Sequence, residues 1–203
     1  MPLSLDDIAW RHVAHICVDM QRMFEEETAW HTPWAARTLP AIEAIVELNP
    51  QRTVFTRFIP PLNADAARGA WRAYYQQWHM MTRERMPAQL LELCAPLARF
   101  VPPARVVDKA IYSPWLETGL HRQLRTEAVE TLVVTGGETD VCVLATVMGA
   151  VDLGYRVVLP EDAVCSSADE THDAMLRIYR SRFGEQLVDC RTEDLLDAWR
   201  HET

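Results

Sequence analysis

Short runs of apolar and β-branched residues alternate along this chain with longer stretches in which apolar residues recur at helical spacing. Such alternation is typical of βα units that stack into a parallel sheet with helices on both faces. We predict six strands, at His12–Val18, Arg52–Arg57, Arg105–Val107, Thr131–Thr135, Tyr155–Pro160 and Gln186–Asp189. Helices are predicted at Pro33–Leu48, Trp71–His79, Leu116–Arg125, Val141–Leu153, Asp169–Phe183 and Thr192–Arg200. The pattern predicts a doubly wound, three-layer α/β/α fold with a six-stranded, mainly parallel sheet, as a single domain over residues 1–203.

Local signals support two of the helix ends. Thr32 before Pro33 predicts an N-cap with proline at the first helical position, and Gly154 predicts a left-handed cap after Leu153. The long irregular stretch from Phe58 to Pro103 contains one predicted helix. We interpret this stretch as an excursion over the domain.

Composition and charge narrow the class of protein. Hydrophobic residues make up 49% and charged residues 24% of the 203 residues, which is typical of a globular protein. The 20 Lys and Arg are outnumbered by 29 Asp and Glu, and the net charge of −9 argues against a nucleic-acid-binding protein. We therefore expect small-molecule or protein partners.

Cysteine usage and hydropathy bear on the compartment. The five cysteines are widely spaced and include no CxxC pair, which argues against a disulfide framework and a structural zinc site. The N-terminal segment lacks the pattern of a signal peptide, and no stretch approaches the roughly 18 apolar residues of a membrane span. We expect a cytoplasmic protein that does not bind membranes.

The candidate chemistry lies where two strands end. In a doubly wound sheet of order 3-2-1-4-5-6, the first and fourth strands are neighbours where the winding reverses, and ligands bind at their carboxyl ends. The fourth strand leads through Gly136-Gly137 to Cys142 at the start of a helix, where free N–H groups and the helix dipole stabilise a thiolate. Cys142 is therefore a candidate nucleophile, with simple burial as the alternative. Cys17, inside the first strand, is predicted to be a core residue.

Asp19 and Lys109 are candidates for the groups that act with this cysteine. Asp19 follows the first strand and could accept a thiol proton, or it could only cap a turn. Lys109 follows the third strand and could place a cation beside an ionised group, or it could be a solvated surface lysine. Thr139 and Asp140, just before the Cys142 helix, are interpreted as N-caps.

Three segments contain these candidates: Val18-Asp19-Met20-Gln21-Arg22-Met23-Phe24, Asp108-Lys109-Ala110-Ile111-Tyr112-Ser113-Pro114-Trp115 and Thr135-Gly136-Gly137-Glu138-Thr139-Asp140-Val141-Cys142-Val143. Together they resemble the isochorismatase-like cysteine hydrolase superfamily. The resemblance extends from about residue 12 to residue 190. It implies an Asp-Lys-Cys triad at Asp19, Lys109 and Cys142 on a three-layer fold of strand order 3-2-1-4-5-6.

The resemblance also implies roles for these residues. Cys142 would attack a carbonyl carbon, Asp19 would take the thiol proton and later pass it to the leaving nitrogen, and Lys109 would orient the pair. A cis peptide bond is implied at Gly137–Glu138, which would turn the backbone amides of Glu138 and Cys142 toward the developing oxyanion. The Glu138 side chain departs from the small or apolar residue expected there. It could contact substrate, a second subunit or solvent.

The segment after the second strand bears on metal binding. Nicotinamidases of this superfamily carry an Asp-x-His segment there, where this chain has Thr56-Arg57-Phe58. We therefore predict no catalytic metal, no cofactor and no nicotinamidase activity. Arg57 is a candidate for pairing with a substrate carboxylate, with a surface ion pair as the alternative.

Aromatic residues cluster in two places. Tyr112 and Trp115 follow Lys109 closely and are predicted to line the substrate pocket. Four more recur on one face of a predicted helix, which favours packing against the sheet or another subunit over a pocket wall: Trp71, Tyr74, Tyr75 and Trp78. We expect a homo-oligomer, because members of the superfamily commonly associate.

These observations support one leading hypothesis. It is a metal-independent cysteine hydrolase that cleaves an amide or carbamoyl-type C–N bond of a small molecule through an acyl-enzyme on Cys142. The alternatives are vinyl-ether hydrolysis of the isochorismatase type, for which the cysteine is dispensable, and a non-catalytic binding or thiol-sensing protein on the same fold. A nucleotide-binding Rossmann protein is disfavoured because Gly136-Gly137 is not a GxGxxG pattern.

Overall fold

A parallel sheet forms the centre of the computed structural model, which describes residues 2–200. Its strands are β1 (Val13–Val18), β2 (Thr53–Phe58), β3 (Arg105–Lys109), β4 (Thr131–Gly137), β5 (Arg156–Pro160), β6 (Val164–Cys165) and β7 (Leu187–Cys190). The order is β3-β2-β1-β4-β5-β7, and all neighbours are parallel. The prediction of a doubly wound α/β fold is confirmed, and the sixth predicted strand is β7.

One strand was not predicted. The two-residue β6 pairs with the end of β4, where Gly136 lies opposite Val164 and Gly137 opposite Cys165. A run this short has no readable alternation, because two residues cannot establish a period. Its consequence is that β4 extends past its predicted end at Thr135 toward the Cys142 helix.

Eight α-helices are present in the described chain: α1 (Arg22–Glu25), α2 (Ala35–Leu48), α3 (Ala70–Gln77), α4 (Ala95–Ala98), α5 (Leu120–Thr126), α6 (Cys142–Asp152), α7 (Asp169–Arg182) and α8 (Thr192–Arg200). The short α1 and α4 were not predicted, and α5 begins four residues later than predicted. The reason for the late start is a turn in which the Thr118 hydroxyl donates to the Pro114 carbonyl and accepts from the Leu120 amide.

The predicted helix caps have different outcomes. Gly154 follows α6 with φ +87°, as expected for a left-handed cap. The predicted N-cap at Thr32 is wrong, because α2 begins two residues later than predicted and its cap residue is Trp34. The Thr32 carbonyl accepts from the Ala35 amide, and its hydroxyl is directed to Glu138 instead.

Two apolar cores cover the two faces of the sheet. Alternate residues of a strand face opposite sides, so Val13 and Cys17 pack with α2, α4 and α8, whereas Ala14, Ile16 and Val18 pack with α5, α6 and α7. Cys17 is fully buried, which confirms its predicted place in the core. No described helix is both long and apolar enough to span a membrane.

A third apolar cluster lies beyond the ends of β1 and β2. It is built largely from the excursion between β2 and β3 and includes Phe58, Tyr75, Met81, Met86 and Leu90, with Met23 from α1. The excursion therefore packs over one end of the sheet, as its sequence suggested, and forms the roof of the region described below.

A histidine lies inside the sheet core. His15 in β1 is fully buried, and its ring nitrogens contact the hydroxyls of Thr53 (3.3 Å) and Thr135 (2.8 Å). Burial lowers the pKa of His15 to about 3 because the charged ring has no water or counter-charge there. The folded protein therefore contains a neutral imidazole that the unfolded chain protonates near pH 6.5.

This difference predicts a pH-dependent loss of stability. The unfolded state binds a proton between about pH 6.5 and pH 3 that the folded state does not, so stability falls as the pH falls through that window. The His15 contribution to unfolding free energy should decrease by about 2 kcal/mol from pH 7.5 to pH 5. Urea titrations of the wild type and of His15→Asn at both pH values measure it. An equal pH dependence in the two proteins would contradict the assignment.

Candidate active site

The carboxyl ends of β1, β3 and β4 lie at one edge of the sheet. Asp19 directly follows β1, Lys109 is the last residue of β3, and Cys142 is the first residue of α6 after β4. Although β3 is an edge strand, the Lys109 side chain reaches back across β2, and its Nζ lies 5.2 Å from the centre of the Phe58 ring. The structure therefore brings all three predicted triad residues together.

An ion pair forms the base of the site. The Lys109 Nζ lies 2.6 Å from Oδ2 of Asp19 and also donates to the carbonyl of Ile111 at 3.2 Å. Both charged side chains are almost completely buried, with exposed fractions of 0% and 1%. Burial acts to lower the pKa of Lys109, but the charges and hydrogen bonds of Asp19 and Cys142 outweigh it and raise the pKa. Lys109 is thus a buried cation and not a solvated surface residue.

Asp19 is positioned by its backbone and by a threonine of β2. Its φ of +51° lies in the left-handed region, which is uncommon for a residue other than glycine. The Thr56 hydroxyl donates to Oδ1 of Asp19 at 2.6 Å and accepts from the Asp19 amide at 3.1 Å. Thr56 therefore donates to one carboxylate oxygen of Asp19 and Lys109 donates to the other, and together they fix the orientation of the carboxylate.

A glycine in β4 permits the close approach of β1. Gly136 pairs with Val18 and has a φ of +102°. A Cβ atom placed on it would lie 2.1 Å from the Val18 carbonyl oxygen. Because backbone atoms cannot give way like the end of a side chain, only glycine fits here without displacing the strand that carries Asp19.

The Cys142 thiol lies beside the ion pair. It interacts with both Asp19 and Lys109, and only 7% of the residue is exposed. Burial raises the pKa of the Cys142 thiol well above its usual range, and the Asp19 carboxylate raises it further, while Lys109 opposes both. Burial and the carboxylate therefore disfavour the thiolate that the helix start was expected to stabilise, whereas the ammonium favours it.

The loop before α6 is tied to β6 and α7. The Thr139 hydroxyl donates to the Cys165 carbonyl at 3.0 Å and contacts the His172 ring. The Asp140 carboxylate accepts from the Ser166 hydroxyl at 2.6 Å. Neither side chain caps α6, whose cap residue is Val141, so the prediction that Thr139 and Asp140 are N-caps is wrong. Their role is to anchor the loop to its neighbours.

The predicted cis peptide bond is present between Gly137 and Glu138. The carbonyl of Glu138 accepts from the amides of Val141 and Val143, which closes the turn into α6. The amides of Glu138 and Cys142 donate to no other group among residues 2–200. Two backbone donors next to the thiol are therefore available to a ligand.

A cavity of about 360 Å³ opens above the thiol, which is within the range of small-molecule sites. Its walls are mainly aromatic. They comprise Phe24, Ala29, Trp30, His31, Phe58, Tyr74, Trp78, Tyr112, Gly137, Glu138, Val141, Cys142 and Ser167, and we call this set the aromatic pocket. Tyr112 thus lines the pocket as proposed from the sequence, and Tyr74 and Trp78 also belong to the wall, although packing against the sheet or another subunit was favoured for them.

Two other candidate residues lie elsewhere. The Arg57 guanidinium forms a two-point contact with Asp108 (2.8 and 3.0 Å) and a further one with Glu92 at 3.1 Å. The Trp115 ring packs on Gly149 of α6 and donates to the Thr146 carbonyl at 2.8 Å. Neither residue belongs to the aromatic pocket. The surface ion pair that was the alternative for Arg57 is the observed arrangement.

One positioning residue was missed. The fully buried Gln21 accepts from the Phe58 amide at 2.6 Å and donates to the carbonyls of Leu91 (2.8 Å) and Phe58 (3.2 Å). It therefore joins the segment after β1 to the start of the excursion at Phe58 and to its later part at Leu91. Its position two residues after Asp19, within a segment used to recognise the superfamily, was the signal that could have found it.

Across residues 2–200, no three His, Cys, Asp or Glu side chains form a set that could hold a metal ion. A second depression of about 400 Å³ lies beside His121, Arg125, Tyr155 and Arg156 and contains none of the triad residues. The chemistry-bearing side chains are therefore concentrated at the aromatic pocket.

Similarity to known proteins shows the family to which the chain belongs. The isochorismatase domain family matches residues 13–188. The chain belongs to this family. It is 27% identical over 180 residues to "Probable inactive nicotinamidase At3g16190" of Arabidopsis thaliana, covering 81% of this chain and 86% of that protein. It is 27% identical over 145 residues to maleamate amidohydrolase of Pseudomonas putida, covering 71% of this chain and 64% of that protein.

Solved structures of the isochorismatase family show the same architecture. A cysteine hydrolase from Pseudomonas syringae pv. phaseolicola superimposes with a TM-score of 0.83 at 24% identity, covering 97% of this chain and 96% of that one. Several curated relatives are matched over less than two thirds of their length, the first of them over 58%. The family and fold are thus established, and relatives include proteins named as amide hydrolases, whereas activity and substrate are matters of proposal.

The electrostatics of the site predict how its thiol titrates. Asp19→Asn removes the charge that raises the Cys142 pKa, so the thiol should ionise at lower pH, even though the variant lacks the candidate base. Lys109→Met should shift the titration to higher pH. The ultraviolet absorbance of the thiolate, taken as the difference from Cys142→Ser in each background, measures both shifts. Cys190→Ser should leave this difference unchanged, and shifts of the opposite sign would refute the arrangement.

Proposed function

We propose that this protein is a metal-independent cysteine hydrolase that cleaves an amide or carbamoyl-type C–N bond of a small molecule. The single observation that supports this most is the buried Asp19–Lys109 pair at the Cys142 thiol, beside a pocket lined by Glu138 and Cys142, whose backbone amides donate to no other described group. A buried ion pair costs desolvation energy and is weakly stabilising at best, so its placement beside a nucleophile favours a chemical role.

Acylation follows from the charges at the site. The resting thiol is protonated, so Asp19 takes its proton as the sulfur attacks the substrate carbonyl carbon. The carbonyl oxygen gains negative charge, and the amides of Glu138 and Cys142 donate to it. When the tetrahedral intermediate collapses, the C–N bond breaks and Asp19 gives its proton to the departing nitrogen. The products of this half-reaction are an amine or ammonia and a thioester on Cys142.

Deacylation reverses the roles with water in place of the thiol. Asp19 takes a proton from water as the water oxygen attacks the thioester carbon, and the proton then returns to the sulfur as the C–S bond breaks. Lys109 keeps Asp19 ionised at the start of each half-reaction and stays charged throughout. The cycle consumes one amide and one water and releases an acid and an amine or ammonia, with the triad restored.

Two alternative functions, the cellular location and the oligomeric state are also predictions. A vinyl-ether hydrolase would need an acid but no nucleophilic sulfur, and a binding or thiol-sensing protein would turn over no substrate. One curated relative is itself named as probably inactive, which makes a direct assay decisive. A cytoplasmic location and homo-oligomeric assembly are expected as before.

The proposal predicts a covalent intermediate and a strict need for sulfur. In a screen of small primary amides, ureido acids and carbamoyl compounds, the wild type should release ammonia or an amine and acquire an acyl mass on Cys142. Cys142→Ala should lower kcat by about a thousandfold or more, since it removes the nucleophile. Cys190→Ser, which changes a cysteine outside the pocket, is the matched control and should retain full activity. Full activity in Cys142→Ala would exclude covalent catalysis and favour the vinyl-ether alternative.

A further inference from the structure

One carboxylate in the aromatic pocket lacks a cation. Glu138 lines the cavity, and its Oε1 accepts from the Thr32 hydroxyl at 3.2 Å. Glu138 takes part in no ion pair among the described residues, and the pocket walls contain no Lys or Arg. Asp19 and Lys109, which contact Cys142 but do not line the cavity, neutralise each other at 2.6 Å. The ring of His31, which does line the cavity, is directed to the Glu26 carbonyl at 3.0 Å and to the Glu27 carboxylate at 3.8 Å. The cavity therefore has an excess of negative charge that this side chain supplies.

The rest of the wall presents aromatic faces at varied tilts. Trp30 is inclined by 36° to Tyr74 and by 61° to Trp78, with ring centres 6.0 and 6.5 Å apart. The charge of Glu138 acts on the hydroxyls of both Tyr74 and Tyr112, so the carboxylate and these rings border the same space. Aromatic faces carry negative partial charge, which attracts a cation at close range.

Filling this cavity changes the surroundings of the carboxylate. A ligand displaces the water that solvates Glu138, and a buried carboxylate is unfavourable unless a cation or donor replaces that water. A neutral ligand leaves the charge unpaired, and an anionic ligand adds repulsion. A ligand with an ammonium group pairs with Glu138 and contacts the ring faces. The net charge of −9 also favours the approach of cations.

We propose that the substrate of this hydrolase carries a positively charged ammonium group, which lies in the aromatic pocket against Glu138 while its amide or carbamoyl carbon faces Cys142. The placement of the amide or carbamoyl carbon at Cys142 rests on the proposed hydrolytic function. The inference makes Glu138 a specificity-determining residue and assigns Trp30, Tyr74 and Trp78 to the ammonium group. It also accounts for the carboxylate at a position where the sequence led us to expect a small or apolar residue.

Isosteric ligands separate charge from shape. Trimethylammonioacetamide and 3,3-dimethylbutanamide have nearly the same size and differ in a quaternary nitrogen against a quaternary carbon, and malonamate is a small anionic amide. Binding of each, and of longer homologues of the first two, is measured by titration calorimetry on Cys142→Ala, which cannot turn them over by the proposed route. We expect the best cationic amide to bind at least about tenfold more tightly than its neutral isostere, with the anion weakest.

Variants assign this preference to its source. Glu138→Gln should reduce the ratio of cationic to neutral affinity about tenfold, because it removes the charge but keeps the shape. Glu193→Gln makes the same charge change on the exposed face of α8 and should leave the ratio unaltered. Trp78→Leu should lower the ratio less than Glu138→Gln does. Thermal unfolding of each variant confirms that it is folded.

Binding and turnover distinguish failure of this inference from failure of the proposed function. Cation-selective binding that depends on Glu138 supports the inference, even if the wild type turns over none of the compounds, in which case only the hydrolytic proposal fails. Equal or tighter binding of the neutral or anionic amides, or no binding of any compound, overturns the inference. Turnover of neutral or anionic amides with an acyl adduct on Cys142 would leave the hydrolytic function intact.

Discussion

A buried ion pair between Asp19 and Lys109 is the interaction on which the rest of the site depends. With both side chains removed from water and their charged atoms 2.6 Å apart, neither group is tolerable without the other. Removing one partner of such a pair typically costs about 3–5 kcal/mol, because a charge is left buried and unpaired. The pair also acts on the pKa of Cys142: burial raises this pKa most, the Asp19 carboxylate raises it further, and the Lys109 ammonium opposes both. In the proposed reaction, the carboxylate that takes the proton therefore lies beside the thiol from the start.

This arrangement requires an unusually close approach of β1 and β4 at their carboxyl ends. The missing side chain of Gly136 leaves room for the Val18 carbonyl oxygen, with which a Cβ atom would collide. Asp19, the residue after Val18, adopts a left-handed backbone conformation. The ammonium of Lys109 comes from an edge strand and crosses β2 to reach the carboxylate. The switch point of a doubly wound sheet thus provides more than a crevice. It places three residues that are distant in sequence on strand and helix ends, whose positions are determined by the packed sheet and not by mobile loops.

The aromatic wall that would contact a ligand belongs to a different part of the molecule. The triad stands on the sheet, whereas most of the aromatic wall comes from the segment around Trp30 and from the excursion after β2, which Gln21 joins to the β1 segment through three hydrogen bonds. Because the wall and the machinery are built from separate segments, the wall can change without disturbing the ion pair. Glu138 is the exception, since its backbone amide is a proposed oxyanion donor and the same residue lines the aromatic pocket.

The main strands and helices, the doubly wound fold and, through the resemblance, the convergence of Asp19, Lys109 and Cys142 could be predicted from the sequence, whereas the short β6, α1 and α4 were missed. Alternation of apolar residues is a local property, and the superfamily segments carry the spacing of the triad. Side-chain partners are different, because they depend on which groups meet across the fold. Arg57 pairs with Asp108 on the neighbouring strand, and Trp115 packs against Gly149, so neither reaches the pocket, and no local signal indicates this. The protonated state of Cys142 likewise depends on how deeply the thiol is buried and on the distance to a carboxylate. The chain's own pattern thus determined the scaffold and the positions of its three candidate residues, whereas burial and long-range proximity, which exist only after folding, decided the electrostatic surroundings of the thiol and the pocket walls.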